Sequence, residues 1–434
     1  MEREGSDLGT TLVGMVGLDV VDVADDDHGL WVLVETRAGR VACGACGVAA
    51  QSKGRLTTLV RDLEIAGRVA TLVWRKRRWR CVEPSCETRT WTEQVEGIAP
   101  RASLTERARA EIARRIGEDA EAVARVAAAF GVAWATAWSA FEELITPAVE
   151  DPSRIEAVES LGVDETAFLR ASPNHPTVWA TGLVDVRHGH LLDVIEGRSS
   201  STLCSWLAER GPSWLGGVQV VAIDPFEAYR KGLFPHLSHV AVVADPFHVV
   251  RLANRAIDRA RRRTQAELTG HRGRKGDPLY DARKVLLTGA FRLTDRGWRR
   301  LNLALDSGDP RGEVLSTWLA KEHLREVYAT PDPTRADALL GQVIEECASS
   351  GIPELATLAN TLRRWRTEII NRHRTGDSNA PTEAMNLLIK EVKRAGRGYR
   401  NFRHYRLRLL AHCGLTWQHR RVVPLRGRAP QLVA

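Results

Sequence analysis

The sequence predicts a multi-domain α+β protein, and three observations support this prediction. At about 150 residues per domain, a chain of 434 residues has room for roughly three domains. Short strands and turns dominate residues 1–98, and a helical pattern rich in Ala, Glu and Arg fills residues 99–150. A new alternation of strands and helices begins after Pro152. We therefore expect an N-terminal strand-and-turn domain, a helical domain and a mixed α/β domain, in that order.

The composition narrows the class of protein. Charged residues make up 27% and hydrophobic residues 44% of the chain, which is typical of a globular protein and too apolar for a disordered one. The sequence contains no apolar run long enough for a membrane helix, and MEREGSDLGTT does not resemble a secretory signal. Seven cysteines, an odd number, argue against a disulfide framework. We expect a cytoplasmic protein, with no membrane partner.

The positive charge indicates a polyanionic partner. The chain carries 62 Lys+Arg against 54 Asp+Glu, a net charge of +8, and only eight of the basic residues are lysines. Arginine suits bidentate contacts with phosphate, so the composition favours nucleic acid. A GC-rich genome also enriches arginine, and composition alone leaves that alternative open.

The α/β domain begins with three expected strands, SLGVDETAFL, TVWATGLVDV and HLLDVIEG. A helix, the buried strand VQVVAID, a second helix and the strand HVAVVAD follow, which predicts a mixed sheet. Residues 250–375 are expected to be mostly helical, with RRRTQAELTGHRGRKGDP as an exposed loop. A last helical stretch, PTEAMNLLIKEVKRAGRGYRNFRHYRLRLLAHC, precedes a basic tail that contains proline.

Four cysteines have the spacing of a structural zinc site. Cys43 and Cys46 form a C-x2-C pair, and Cys81 and Cys86 form a C-x4-C pair. Four thiolates satisfy tetrahedral Zn²⁺, and the metal would supply much of the folding free energy of a small domain. The alternative is that these cysteines are small buried hydrophobic residues. The remaining three are read as ordinary residues: Cys204, Cys347 and Cys413.

Two further segments are candidates for contacts with DNA. The strand RKRRWR would place positive charge on both of its faces through Arg75, Lys76, Arg77, Arg78 and Arg80. A solvated edge strand would show the same pattern. The segment AVARVAAAFGVAWATAWSAF has the layout of a helix-turn-helix, with the turn at Gly131, although helical hairpins of this kind also occur without DNA binding. Its second helix would present Trp134, Thr136 and Trp138.

Carboxylates at strand ends predict a metal site. Asp164 closes SLGVD and Asp224 closes VQVVAID, so neighbouring strands would bring both carboxylates to one edge of the sheet. Two aspartates there would repel each other unless a hard cation such as Mg²⁺ lay between them. A two-metal site needs a third acid, and Glu383 is the best candidate.

Glu383 would begin a helix that carries a basic stripe. Asn379 is a predicted cap and Pro381 lies in the first turn. Positive side chains return near the face of Glu383 further along the helix, and these are Lys390, Lys393, Arg394 and Arg397. The alternative is a capping glutamate on an amphipathic basic helix.

These residues carry a family resemblance. The segments GVDET, VVAIDPFEAYRKGLFPH, AVVADPFHVVRLANRAIDRARRR and NAPTEAMNLLIKEVKRAGRGYRNFRHYRLRLL resemble transposases of the ISL3 group of bacterial insertion sequences. The resemblance implies an N-terminal zinc-binding domain, a helix-turn-helix and a ribonuclease-H-like catalytic domain with a helical insertion. It further implies a DDE triad of Asp164, Asp224 and Glu383.

The resemblance also implies how the chain is divided and which acids act. The expected segments are a zinc domain (1–98), the helix-turn-helix (99–150), the catalytic core (151–265), a helical insertion (266–375), the last part of the core (376–420) and a basic tail (421–434). Asp245 also closes a strand and is an alternative to Asp224. With His248 it resembles an accessory motif near the active site, whereas Glu165 should point to the opposite face from Asp164.

The predicted function is that of a DNA transposase. It would bind the terminal inverted repeats of its element, cleave phosphodiester bonds with two Mg²⁺ ions, or Mn²⁺ in their place, and join the ends to target DNA. A homo-oligomer associated with the nucleoid is expected, because two element ends must be cut in concert. The alternatives are a catalytically inactive, transposase-derived DNA-binding regulator and a ribonuclease-H-like nuclease acting on RNA.

Overall fold

A computed structural model describes residues 9–417, except Leu12 and Ala38. The chain forms two compact units, one combining Met1–Arg154 with Glu391–Ala434 and the other comprising Ile155–Lys390. The expected zinc and helix-turn-helix domains therefore lie in one unit. The segment expected to complete the catalytic core, 376–420, is divided between the two units. The predicted basic tail, 421–434, lies outside the described residues.

The first unit begins with a five-stranded sheet. Its strands are β1 (Leu18–Asp26), β2 (Gly29–Thr36), β3 (Gln51–Arg61), β4 (Ala70–Arg80) and β5 (Thr90–Thr92). The order is β1-β2-β4-β3, with β5 also paired to β4. Only the β2–β4 pair is parallel among the strands described. Val32, Leu72 and Trp74 are buried in its core, as expected for residues on one face of a sheet, and the residues between them along each strand are less buried.

Three helices follow this sheet: α1 (Glu106–Gly117), α2 (Val123–Ala129) and α3 (Trp134–Glu150). Thr105 caps α1 by accepting a hydrogen bond from the backbone N–H of Ala108. Gly131 has a φ of +59°, which favours glycine, and it allows the turn between α2 and α3. Ile112, Phe130 and Phe141 are buried between these helices.

The sequence prediction for this helical pair is confirmed by its geometry. The first helix ends at Ala129 and the second begins at Trp134. They meet at 107°, inside the range of helix-turn-helix motifs. No single helix among the described residues is long and apolar enough to cross a membrane, although α2 and α3 together pass that test by length and composition.

The second unit contains a mixed sheet. Its strands are β6 (Ser160–Leu169), β7 (Val178–Asp185), β8 (His190–Glu196), β9 (Val220–Ile223) and β10 (Ala241–Ala244). The order is β8-β7-β6-β9-β10. Strands β6, β7 and β8 are antiparallel, and β9 and β10 run parallel to β6. The connections contain α4 (Ser200–Ala208), α5 (Pro212–Gly217) and α6 (Glu227–Leu233).

The predicted order of three strands followed by alternating helix and strand is confirmed. Strand β9 reads Val-Val-Ala-Ile and all four residues are buried, as expected for a parallel strand in the middle of a sheet. The predicted strand SLGVDETAFL matches β6 in its bounds, so the separate prediction that Asp164 closes a strand SLGVD is wrong. Asp164 instead follows Val163, which is paired with the last residue of β9, so it still lies where the parallel pairing ends.

The remainder of the second unit is helical. Its helices are α7 (Pro246–Thr269), α8 (Pro278–Asp281), α9 (Arg283–Leu287), α10 (Asp295–Gly308), α11 (Glu313–Ala329), α12 (Pro333–Ser349), α13 (Pro353–Arg364), α14 (Arg366–Thr375) and α15 (Ala380–Ala395), which continues into the first unit. A final helix in the first unit is α16 (Phe402–Cys413). The predicted loop at RRRTQAELTGHRGRKGDP is wrong in its first half, because α7 extends to Thr269. Arg261, Thr264 and Gln265 are buried on that helix, and the predicted boundary at 265/266 falls inside it.

Helix α15 approaches the sheet closely at Gly162. A Cβ atom added to Gly162 would overlap the hydroxyl of Thr382 and approach Val186 within 2.9 Å. Only glycine therefore lets the helix that carries Glu383 lie this near to β6.

The Gly162→Ala variant should be less stable by about 1–3 kcal/mol, because the methyl group overpacks this contact. Thermal denaturation of the full chain measures the effect. The matched control is Gly216→Ala in α5, where an added Cβ atom meets nothing within 4 Å. Equal denaturation midpoints for Gly162→Ala, Gly216→Ala and the unmodified chain would contradict the close approach of α15.

Candidate active site

A cavity of about 780 Å³ lies in the second unit, where β9 ends. Asp164, Asp224 and Glu383 line it. Open α/β sheets commonly bind ligands at the carboxyl ends of their parallel strands. The three acids predicted from sequence are therefore brought to one cavity. Further lining residues that sequence reasoning did not identify include Arg198, Arg251, Arg255 and Asn386.

Three carboxylates form a compact cluster in this cavity. Oxygen atoms of Asp164, Glu165 and Asp224 lie within 4.8 Å of one another. Asp164 is 6% exposed, and burial together with the negative charge of Asp224 raises its pKa to about 7. Burial and Asp224 also raise the pKa of Glu165. Such crowding of buried like charges is unfavourable unless a cation or protons neutralise it.

The prediction that Glu165 points to the opposite face from Asp164 does not remove it from the site, because Glu165 also lines the cavity and its carboxylate belongs to the cluster. Its neighbours do lie on the opposite sheet face from α15, since it forms an ion pair with Arg198 at 3.5 Å and its charge interacts with Tyr229. Because β9 stops at Ile223, nothing from that strand separates the two faces at this point. A glutamate side chain is long enough to reach the cluster around this strand end.

Asp224 also belongs to a second cluster. Potential ligand atoms of Asp224, Asp245 and His248 lie within 4.8 Å of one another. His248 Nδ1 lies 2.6 Å from Asp224 Oδ1 and 3.2 Å from Asp245 Oδ2. Burial lowers the pKa of His248, but the two carboxylates outweigh it and raise that pKa to about 10. The imidazole of His248 therefore lies between the two aspartates and contacts both.

Asp245 has a structural role at the start of α7. It is 3% exposed and accepts a hydrogen bond from the backbone N–H of His248 at 3.1 Å, which caps the helix. Asp224 lines the cavity, whereas Asp245 is not among the residues that line it. His248 contacts both aspartates and so links Asp245 to Asp224. The geometry favours Asp224 over Asp245 as the acid that faces a substrate.

Helix α15 supplies the third acid and a polar contact to the first. Asn386 Nδ2 donates a hydrogen bond to Asp164 Oδ2 at 2.5 Å, and Asn386 is 6% exposed. Burial and the negative charge of Asp245 raise the pKa of Glu383. Asn386 was identifiable in principle, because it follows Glu383 by three residues and so shares its helix face.

Positive side chains face these carboxylates. Lys390, seven residues after Glu383, lines the same cavity, as the predicted basic stripe requires. Lys393 and Arg394 lie in the last turn of α15 and Arg397 follows it, and these three belong to the first unit. Arg198, Arg251 and Arg255 add positive charge around the cavity. A cavity with buried carboxylates and a basic rim suits a phosphodiester substrate with a divalent cation.

The four predicted zinc ligands lie together in the first unit. Strands β3 and β4 are antiparallel, and they bring Cys43 and Cys46, before β3, beside Cys81 and Cys86, after β4. The Sγ atoms of Cys43 and Cys86 are 3.8 Å apart, and those of Cys46 and Cys81 are 3.5 Å apart. Zinc–sulfur bonds of about 2.3 Å in a tetrahedron require sulfur atoms roughly 3.8 Å apart. The donor set fits Zn²⁺.

The backbone near Cys43 also favours a thiolate. Hydrogen bonds from the backbone N–H groups of Ala45 and Cys46 lower the pKa of Cys43 to about 7. The three cysteines that are not predicted zinc ligands lie outside this cluster. Cys347 is buried, and Cys204 and Cys413 are half-buried.

The Cys46→Ser variant should lose most of the zinc that the unmodified chain retains, about one ion per chain. Structural Zn²⁺ contributes about 10–16 kcal/mol of binding free energy to small zinc domains, so the strand region should also lose protease resistance. Metal analysis and limited proteolysis measure these effects. Cys204→Ser is the control and should keep its zinc. Full zinc retention by Cys46→Ser would contradict the site.

The basic strand β4 is partly paired within its own sheet. Arg75 forms an ion pair with Glu35, and Arg80 donates to Gln51 Oε1 at 2.7 Å. Lys76 lies 4.2 Å from the ring centre of Trp74, and Arg77 donates to the backbone carbonyl of Thr36 at 3.2 Å. Arg78 is exposed. These contacts keep the positive charge of β4 at the surface. This agrees both with a strand that contacts DNA and with a solvated edge strand.

In the helix-turn-helix, the three predicted residues differ in accessibility. The side chain of Trp134 is 48% exposed, Thr136 is half-buried and Trp138 is 6% exposed. Trp138 is buried, since its ring packs against Phe141 and its Nε1 donates to Glu142 at 3.0 Å, and its contact with DNA stays a prediction. Trp134 and Thr136 remain available.

Comparison with known proteins decides the family. The model of the ISL3 DDE-type transposase family matches residues 161–409, more than half of the chain. The chain belongs to the ISL3 family of transposases. The models of the zinc-finger of transposases IS204/IS1001/IS1096/IS1165 and of the ISL3 helix-turn-helix domain match residues 39–86 and 93–145.

Individual relatives of this ISL3 transposase agree. The transposase for insertion sequence element IS1001 of Bordetella parapertussis is 26% identical over 392 residues, which is 89% of this chain and 92% of the relative. The transposase for element IS1557 of Mycobacterium tuberculosis is 26% identical over 322 residues, covering 69% of this chain and 70% of the relative. Among the sequence predictions, the ISL3 resemblance, the zinc-binding region and the helix-turn-helix are therefore confirmed.

Proposed function

We propose that this ISL3 transposase cleaves DNA at the ends of its insertion sequence and transfers the strands to target DNA in a metal-dependent reaction. The observation that carries the proposal is the convergence of Asp164, Asp224 and Glu383 on one cavity with a basic rim. The order of the sheet, with three antiparallel strands followed by two parallel ones, supports a ribonuclease-H-like catalytic core. The helices within residues 266–375, from the end of α7 to α14, would form the helical insertion before the last acid.

The carboxylates suit divalent metal ions. Asp164, Asp224 and Glu383 would hold two Mg²⁺ ions, or Mn²⁺, because these hard cations prefer carboxylate oxygens. Burial and nearby carboxylates raise the pKa values of Asp164 and Glu383, and a bound cation would relieve this crowding of negative charge. When bound, such a pair of ions lowers the barrier to attack on a phosphodiester by stabilising the attacking and leaving oxygens.

The surrounding side chains position the acids and the substrate. Asn386 fixes the orientation of the Asp164 carboxylate, and charged His248 holds Asp224 against Asp245. Arg198, Arg251 and Arg255 would bind phosphate groups of the strand to be cut. These contacts, together with the ion pair between Arg198 and Glu165, hold part of the site before DNA arrives, which reduces the cost of ordering it at the moment of reaction.

Recognition of the terminal inverted repeats is assigned to the first unit. The zinc domain with Arg75, Lys76, Arg77, Arg78 and Arg80, and the helix-turn-helix with Trp134 and Thr136, would bind double-stranded DNA. Lys393, Arg394 and Arg397 would add phosphate contacts. A homo-oligomer in the cytoplasm, associated with the nucleoid, would bring two element ends together.

The test uses purified full-length protein, a duplex carrying one terminal repeat, and a supercoiled target plasmid. With Mg²⁺ we expect nicking at the repeat boundary and joined products, and without a divalent metal we expect binding alone. Sequence-specific binding without metal-dependent cleavage would overturn the proposal and identify a DNA-binding regulator. Cleavage of an RNA strand but not of DNA would identify a ribonuclease instead.

A further inference from the structure

A second cavity, of about 660 Å³, lies in the first unit, and its lining includes Trp134 and Arg397, which the proposed function assigns to DNA binding. It is formed by α2, the start of α3, the loop Gly396–Gly398 after α15, and the first turn of α16. Its volume is within the range of small-ligand sites. Among the described residues that line it, four are arginines and none is acidic: Arg125, Arg397, Arg400 and Arg408.

Stacked aromatic rings reach the cavity. Trp134 lies parallel to Trp138, with ring centres 5.6 Å apart and planes at 7°. His404 packs against Trp138 with ring centres 4.2 Å apart. Trp138 is fixed by its hydrogen bond to Glu142, so it supports Trp134 from behind. Trp134 is 48% exposed and ends the stack with a free ring face.

The arginines have a geometry suited to an anion. Arg397 has a φ of +54°, a left-handed conformation that favours glycine, and it lies between Gly396 and Gly398. Arg400 is exposed, so two guanidinium groups stand beside the aromatic stack. Arg408 is 1% exposed and donates to the backbone carbonyls of Ala120 and Glu121, while its buried Nε has no hydrogen-bond partner.

We propose that this cavity binds one unpaired nucleotide of the DNA, with the base stacked on Trp134 and its phosphate held by Arg397 and Arg400. A paired base inside a duplex presents only its edge to a protein, so among the bases of DNA only one that has left the helix or lies at a strand end can stack on the indole of Trp134. The proposal rests on the proposed binding of DNA by this chain and adds the form of DNA that is recognised.

The test compares two duplexes of equal length and sequence in the absence of Mg²⁺. One carries a single unpaired 2-aminopurine nucleotide and the other is fully paired. For the unmodified full-length chain we expect tighter binding of the first duplex and quenching of its fluorescence by Trp134. Base–aromatic stacking has a large effect on affinity, so Trp134→Ala should reduce the preference roughly tenfold or more. Trp134→Phe should retain most of it.

Two controls separate binding from folding. Trp298→Ala, at a 37% exposed tryptophan in the second unit, should keep the preference. Arg397→Gly relieves the left-handed backbone, so it should not lower the denaturation midpoint but should weaken binding of the unpaired duplex. Equal affinity of the unmodified chain for both duplexes would overturn this inference alone. Failure to bind either duplex would overturn DNA binding as well.

Discussion

The Asp224→Asn variant is expected to lose at least about a thousandfold in the rate of metal-dependent DNA cleavage while it stays folded. Asp224 is the carboxylate shared by the cluster with Asp164 and Glu165 and by the cluster with Asp245 and His248. Asparagine keeps the size of the side chain but removes the charge that would hold a cation. Because each tenfold loss of rate corresponds to about 1.4 kcal/mol, this loss equals about 4 kcal/mol of transition-state stabilisation.

The matched comparison is Asp245→Asn. Asp245 caps α7 through the backbone N–H of His248, and asparagine caps helices about as well as aspartate. We expect Asp245→Asn to reduce cleavage much less than Asp224→Asn, because Asp224 lines the cavity whereas Asp245 is not among its lining residues. Gel assays of cleavage, with DNA binding measured in parallel, separate the variants. A severe loss in Asp245→Asn with near-normal cleavage by Asp224→Asn would reverse the assignment.

The Glu383→Gln variant should lose about a hundredfold or more in cleavage rate, because glutamine offers no negative charge to a divalent cation. The same substitution tests the alternative of a capping glutamate. Glu383 lies in the first turn of α15, and glutamine can also serve at that position of a helix. A purely capping role therefore predicts normal activity in the variant.

Glu391→Gln, on the same helix, is the control for α15. Glu391 is exposed and lies outside the cavity lining. We expect normal cleavage from this variant, and unchanged thermal stability in both. Equal cleavage rates for Glu383→Gln and the unmodified protein would exclude Glu383 from the reaction and leave Glu165 as the third carboxylate near Asp164 and Asp224.

The architecture of the second unit was predictable because local signals agreed with the global fold. Buried runs of β-branched residues such as VQVVAID can form only interior strands, and their order along the chain limits the sheet topology. The cysteine spacing and Gly131 were equally informative. Each of these signals lies within a few residues of the structure that it specifies.

The sequence predictions that differ from the structure concern how side chains and segments pack in the folded chain. Asp164 looked like a strand end because its charge interrupts an apolar run, yet β6 continues past it along β7. Arg261 looked exposed because it lies in a basic run, but it is buried on α7 and donates to Gln265 and Asp258. Trp138 was predicted to be accessible to DNA, but it is buried, and His404 of α16, which is distant in sequence, packs against its ring. Glu165 can reach the cluster with Asp164 and Asp224 because β9 ends at Ile223. The alternation of side chains along β6 does not reveal where the neighbouring strand ends.

Direct measurement of metal binding tests whether the clustered acids, Asp164 and Asp224 among them, form a site for divalent cations. Mn²⁺ titrated into the zinc-loaded full-length protein can be followed by electron paramagnetic resonance, which reports free and bound Mn²⁺ without any DNA. We expect the unmodified chain to bind Mn²⁺ saturably. We expect the Mn²⁺ affinity to be at least about tenfold weaker in Asp164→Asn and in Asp224→Asn. Equal Mn²⁺ affinity in the unmodified chain and both variants would contradict this expectation.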